Sequence, residues 1–484
     1  MADDERADGP DGAASPQQGI AERTTEKEVK VPGRFMRTLK TGGLGGLVSS
    51  SYLGGKVLDS FRKGDAKKLA QSERHKKNAV RMLETMSELR GPIMKIGQLL
   101  STHREVLPDS YTGLLTKLQS QAPSMPYESV RQILIDELGA PPETLFQRFD
   151  KHACAAASLG QVHQAWLHSG EKVAVKVQYP GAEGMVEGDL KNLDLGMKLV
   201  KSIGADVMRN KKFDLTPVYE EIAEHLRQET DLCREAFNAQ LLYDLFADHP
   251  DIIIPKVYLE LSGLRVITYE FIEGENIGAF IDRTDKLDQA EKERVAGMLT
   301  DAFWGQLAGQ GVLHADPHPG NYFVTPEGKL AILDFGCIKI FSPNTVVGFI
   351  ELVRAYLEHS DKGVHAALYK LEMVESLDDM DEFDDLNRIG EYFCTGLDVD
   401  DTYSFVDNNY AERGRELIHY FISRRRIPKA QKDFIFMTRV ILGYFEYFSR
   451  MDLDMNFRRI ALPHITRGFQ GRKVAIPDFY LDND

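Results

Sequence analysis

Apolar residues recur at three-residue spacing at Val80, Leu83, Met86 and Leu89, with Lys and Arg between them, and this spacing predicts helix over residues 56–107. From about residue 145 the texture changes to short β-like runs: KVAVKVQ at 172–178, the stretch 252–261 with Pro255 marking a strand start, and RVITYEF at 265–271. Residues 214–248 read as one or two long helices. A helix-rich second half follows, interrupted by strand candidates at 322–324 and 330–333. There is no internal repeat. Together these patterns predict an α+β fold.

The chain has 484 residues, a length that suggests two or three structural units. Its 59 Lys+Arg and 74 Asp+Glu give a net charge of −15, which argues against general nucleic-acid binding. The charge is uneven. Residues 1–33 hold eight acids and four bases and read as a disordered acidic tail, whereas residues 34–90 hold thirteen bases and five acids. The four cysteines show no CxxC pairing, which fits a reducing, cytosol-like compartment. The N-terminus lacks the apolar region of a secretory signal. The longest uncharged run of the basic segment, TGGLGGLVSSSYLGG at 41–55, falls short of the ~20 residues a spanning helix needs. The expectation is a cytoplasmic protein, at most peripheral on a membrane. The acids Asp378, Asp379, Asp381, Glu382, Asp384 and Asp385 read as a solvated loop or helix N-terminus rather than a cation site, since the EF-hand glycine and closing glutamate are missing.

The strongest chemical signal is His314-Ala-Asp316-Pro-His-Pro-Gly-Asn321, followed after a short hairpin by Leu333-Asp334-Phe335-Gly336. An Asp with an Asn five residues on, then a strand ending in Asp-Phe-Gly, is the phosphotransfer arrangement of protein-kinase-like folds. In that chemistry Asp316 orients or deprotonates the attacking hydroxyl. Asn321 and Asp334 supply hard oxygens for Mg²⁺, and Gly336 lets the backbone turn sharply off the strand. Upstream, Val173-Ala-Val-Lys176 matches the strand whose lysine holds nucleotide phosphates and pairs with a helix glutamate; Glu235 is the candidate partner. Ahead of it stands Cys154-Ala155-Ala156-Ala157-Ser158-Leu-Gly160, with methyl groups where a kinase has glycines, so the phosphate pose should differ. An Ala-rich turn, an exposed strand lysine and a solvated acidic face at Glu229, Asp231 and Glu235 are the plain structural alternatives.

With Lys95-Ile-Gly-Gln98 on the helical extension added, the ordered set KxGQ, AAASLGQVH, VAVK, ExD, HxDxHPGN and DFG resembles the UbiB family of atypical kinases, also called AarF or ADCK. The resemblance implies a two-lobed protein-kinase-like fold: a basic helical extension over 34–143 that carries KxGQ and covers the active site, an N-lobe over 144–272 with inserted helices, and a helical C-lobe over 273–484. It also implies that Lys95 and Gln98 reach the nucleotide site and meet Glu229 and Asp231, and that adenine sits against the hinge with the backbones of Glu270 and Ile272 as partners. ATP or ADP and Mg²⁺ are the implied cofactors. Family members are associated with ubiquinone and related isoprenoid-lipid metabolism at membranes, so a quinone-like lipid and an anionic membrane surface are the expected partners. Many bacterial relatives end in two transmembrane helices, whereas this chain ends in RKVAIPDFYLDND; the remaining route to a membrane is the basic 34–90 segment, for which a flexible linker is the competing reading. Two rivals stand beside this reading. One is a small-molecule phosphotransferase resembling aminoglycoside or choline kinases; the other is a nucleotide-gated lipid-binding protein with little catalysis.

Overall fold

The structure, a computed structural model, describes residues 125–191 apart from Ser158, 216–374, 380–424 and 432–472, with a few isolated positions besides. Lys95, Gln98, Ser158 and the acidic tail lie outside the described residues, as do Asp378, Asp379 and nearly all of the basic segment.

In chain order the elements are α1 (Tyr127–Leu138), β1 (Arg148–Phe149), β2 (Ala155–Ala157), β3 (Gly160–Trp166), β4 (Lys172–Gln178), α2 (Thr216–Gln228), α3 (Leu232–Phe246), β5 (Ile252–Ile253), β6 (Val266–Glu270), β7 (Glu275–Asn276) and α4 (Ile277–Asp282). Then come α5 (Gln289–Gln310), β8 (Val312–His314), β9 (Tyr322–Val324), β10 (Leu330–Ile332), β11 (Ile338–Ile340), α6 (Pro343–Leu357), α7 (Asp361–Lys370) and α8 (Met380–Phe393). The last are β12 (Tyr403–Ser404), α9 (Tyr410–Arg424), α10 (Lys432–Met451), β13 (Asp454–Met455) and α11 (Phe457–Arg467).

Strands β1, β3, β4 and β6 form an antiparallel sheet in that order, with β2 also paired to β3. Because side chains alternate along a strand, Val173, Val175 and Val177 point to one face and are fully buried against Val130, Ile133 and Leu134 of α1 and against Phe146. Ala174 and Lys176 therefore point to the other face. At the β2–β3 turn, a Cβ on Gly160 would overlap the carbonyl oxygen of Val177 on β4. Gly160→Ala should cost about 1–3 kcal/mol, as other forced fits in packed interiors do. It should lower the thermal unfolding midpoint, and an unchanged midpoint would contradict this close pairing.

A second sheet, ordered β5–β10–β9–β7, borders the first, with only the β5–β10 pair parallel. The stretch 252–261 is not one strand. It yields β5, an isolated bridge from Val257 to Tyr269 and a 3₁₀ turn at Leu259–Leu261. Pro255 has no N–H for a ladder, so it interrupts the strand rather than starting it. The helices pack around α5, whose start is fixed by a capping box: Asp288 accepts the Glu291 N–H, and Glu291 accepts the Asp288 N–H. Of the acid block, Asp384 is exposed at the start of α8, but Asp385 is buried and accepts from the Tyr420 hydroxyl at 3.1 Å, so this position departs from the solvated reading. Among the described residues, no helix is long and apolar enough to cross a membrane.

Candidate active site

Lys176 leaves β4 on the face opposite its valines and meets α3. Its Nζ donates to both carboxylate oxygens of Glu235, at 2.7 and 2.8 Å. Glu235, 1% exposed, also accepts from the Tyr269 hydroxyl on β6 at 2.9 Å. Burial alone would depress the lysine, but Asp334, Glu235 and Glu229 outweigh it and hold the ammonium above the usual lysine value. Burial pushes the Glu235 carboxyl up against the opposing pull of Lys176. With two short charge-assisted contacts, the pair is ionic. Asp334 Oδ1 lies 3.8 Å from the same ammonium.

These groups open onto a cleft of about 560 Å³ between the first sheet and the helical part. The structure brings Lys176, Glu235, Asp316, Asn321 and Asp334 to its walls, together with Ala155, Ala156 and Ala157 of β2 and the 270–272 segment with Glu270 and Ile272. The Asn321 amide N–H donates to the Asp316 carbonyl at 3.3 Å, which directs its amide oxygen away from that carbonyl. Among the described residues no cluster of three or more His, Cys, Asp and Glu side chains could hold a metal. The donor set here is one amide oxygen and one carboxylate. That set fits Mg²⁺, which takes few protein ligands and fills its octahedron with water and phosphate oxygens.

The turn at 334–336 differs from the sequence expectation. The left-handed residue is Asp334, at φ 63°, and not Gly336. A non-glycine residue held there is strained, and such strain clusters at functional sites. Gly336 has little spare room instead: a Cβ there would stand 3.3 Å from Asp334 Oδ1 and 3.4 Å from Glu229 Cγ, a tight fit that a small side-chain shift would accommodate. Phe335 is fully buried between the rings of Tyr269 and His314.

Several braces of this site went unseen in the sequence. His314 Nε2–H donates to the Asp334 carbonyl at 2.7 Å, so its Nδ1 is the acceptor for the Tyr322 hydroxyl at 3.2 Å, and Tyr444 donates to Tyr322 at 3.2 Å. Burial holds the His314 ring below its usual pKa and therefore neutral. Asn238, one turn along α3 from Glu235, donates to the Phe335 carbonyl at 2.7 Å. From α10, Arg439 donates to the Ala315 carbonyl and Tyr447 to the Pro317 carbonyl, clamping the loop that carries Asp316. The available signal was polar residues on otherwise buried helix faces, such as Asn238 among Ala236, Ala239 and Leu242.

Two candidates sit apart from the cleft walls. Asp231 is exposed and caps α3, accepting the Arg234 N–H at 2.9 Å. Glu229 borders a small crevice with Gly160, Lys176 and Gln178.

A β-sheet over a helical body, with an ion-paired strand lysine and a helix glutamate facing an Asp…Asn loop and an Asp-Phe-Gly turn, defines a protein-kinase-like fold. Residues 117–368 match the ABC1 atypical kinase-like domain. The chain belongs to that family, also known as UbiB, AarF or ADCK. It is 31% identical over 401 residues to Synechocystis protein sll1770 and 30% identical over 409 residues to the chloroplastic protein ACTIVITY OF BC1 COMPLEX KINASE 7 of Arabidopsis thaliana, each match covering 81% of this chain. It is 28% identical over 389 residues to the mitochondrial atypical kinase COQ8 of Saccharomyces cerevisiae, covering 79% of this chain. The matches cover 65%, 55% and 75% of those relatives' own lengths. The solved structure of Rv3197 from Mycobacterium tuberculosis, in complex with erythromycin, is similar in fold at a TM-score of 0.56 and 23% identity, over 82% of this chain and 97% of that one.

Proposed function

We propose that the chain is a Mg²⁺-dependent, ATP-binding atypical kinase or ATPase that supports ubiquinone or other isoprenoid-lipid metabolism at a membrane surface. The observation that carries this reading is the Lys176–Glu235 pair 3.8 Å from Asp334, in a cleft that Asp316 and Asn321 also line. Lys176, fixed by Glu235, holds the α- and β-phosphates. Asn321 and Asp334 hold Mg²⁺, which neutralises the phosphate charge when bound. Asp316 orients the attacking hydroxyl or water and takes its proton. The Glu270 N–H is already given to the Lys256 carbonyl at 2.8 Å, so this residue offers adenine its carbonyl, with the Ile272 N–H beside it. Ala155 to Ser158 cover the phosphates. In this reading Lys95 and Gln98, which lie outside the described residues, meet Glu229 and Asp231, and the occluded cleft disfavours protein substrates. The membrane link is supported by family membership and by the basic 34–90 segment.

Purified chain should bind Mg–ATP, and its hydrolysis should rise with anionic liposomes containing a prenylated phenol. Absence of Mg-dependent nucleotide binding would sink the reading. Binding without turnover under any condition would instead favour a nucleotide-gated lipid-binding protein. The alanines of β2 motivate that second reading, since they stand where glycines would let phosphates approach the backbone. Ala155→Gly should then release self-phosphorylation. Rapid phosphorylation of choline or an aminoglycoside would point to the small-molecule kinases.

A further inference from the structure

The helical body contains a second cavity that shares no described lining residue with the cleft and differs from it in chemistry. It measures about 430 Å³ and is walled by α5, α6, α8, α9 and α10, with Phe303, Trp304, Phe349, Phe405 and Phe434 among its lining. None of the described residues that line it is charged. Packed interiors leave few voids larger than a water, and ~10–15 Å³ on the same measure accommodates one. A space this size amid so many large side chains is large enough to admit a ligand much bigger than a water. Its lining offers only isolated hydroxyls and a thiol, such as Thr300, Thr438 and Cys394. An apolar cavity of that kind rejects ions and takes up hydrocarbon. Ile418 of α9, an exposed large apolar side chain, also lines the cavity and marks where it approaches the surface.

One lining residue reaches the candidate active site. The Tyr444 ring borders the cavity while its hydroxyl begins the relay Tyr444 → Tyr322 → His314 → Asp334 carbonyl. Every ring in that relay is buried, at 4% exposure or less, so a displaced Tyr444 must either drag Tyr322 with it or leave a buried hydroxyl without its partner. The far end of the relay holds the backbone of the one residue in the turn with positive φ.

We propose that this cavity binds a neutral, mostly hydrocarbon lipid of single-chain size, and that Tyr444, Tyr322 and His314 transmit its occupancy to Asp334. The binding site stands on the cavity alone; the coupling rests on the nucleotide reading of the cleft.

The chain has two tryptophans, and one of them, Trp304, lines the cavity. In a Trp166→Phe background of the full chain, Trp304 is the sole indole reporter. Farnesol, used as the probe, should give a saturable change in its emission. Ile441→Phe, or Leu397→Phe if the first variant folds poorly, fills the cavity and should abolish that change. Farnesol should also shift Mg–ADP affinity by ~5-fold or more, the lower range of allosteric coupling. Tyr444→Phe should keep the fluorescence response and lose that shift. Unchanged emission, or an equal response in a filled variant, overturns the site. A shift that survives in Tyr444→Phe, or no shift in the parent, overturns the relay. If Mg–ADP does not bind at all, the nucleotide reading fails while the farnesol titration still decides the cavity.

Discussion

Asp334→Asn is expected to lower Mg²⁺-dependent ATP turnover by about 10²- to 10³-fold, the usual cost of deleting one group that stabilises developing charge, while leaving the fold intact. Two features make the substitution clean. Asp334 Oδ1 accepts the Gly336 N–H at 3.2 Å, and an asparagine oxygen can do the same, so the turn is kept. Asparagine is also the non-glycine residue, with aspartate, that best tolerates positive φ. What is lost is the negative charge, beside Lys176 at 3.8 Å and in the position proposed to hold Mg²⁺. Steady-state hydrolysis, with circular dichroism as the folding control, reads the outcome. Turnover equal to that of the parent would remove Asp334 from the chemistry and, with it, the kinase-like mechanism.

The parts of the site that were legible in the sequence are those set by local geometry. Strict alternation in KVAVKVQ is enough to place Lys176 opposite three valines, and β4 spans the same residues, 172–178. The spacing from Asp316 to Asn321 and the hairpin β9–β10 leading to Asp334 are likewise short-range. What stayed hidden depends on partners that only packing brings together. Asn238 meets the Phe335 carbonyl across 97 positions and Arg439 meets the Ala315 carbonyl across 124, and nothing near either residue in sequence announces the other. The strained residue was misplaced for a related reason. Glycine is the default at positive φ, but Gly336 does not adopt it, and the left-handed step was taken by Asp334, locked from outside by His314. Asp231 illustrates the reverse ambiguity: an acid that fits an ExD motif is also the residue type that best caps the helix it precedes.

Lys176→Ala should produce the largest stability loss of any single change at the cleft, with a pH dependence that identifies its cause. Removing one partner of a buried ion pair costs about 3–5 kcal/mol, because the other charge is left without compensation. Here the remaining group is Glu235, 1% exposed, with the Tyr269 hydroxyl still donating to it. Burial already pushes the Glu235 carboxyl up, and Lys176 is the foremost of the groups pulling it down. Deleting that lysine raises the folded-state value further above the ~4.3 of an unfolded glutamate. The folded variant then binds more protons than the unfolded one across that window, so its stability rises as pH falls. The loss relative to the parent should thus be smallest below about pH 4.3 and should grow as pH rises through the folded value. Chemical unfolding of parent and variant at matched pH values from 5 to 8 reads the difference. A loss that is flat with pH would mean that Glu235 does not stay charged and buried when Lys176 is gone. Adding Glu235→Gln to Lys176→Met supplies the converse: with no charge left to bury, the double variant should recover part of the stability and lose the pH dependence, yet remain as inactive as Lys176→Ala. A pair kept for packing would not split that way, because its stability and its activity would return together.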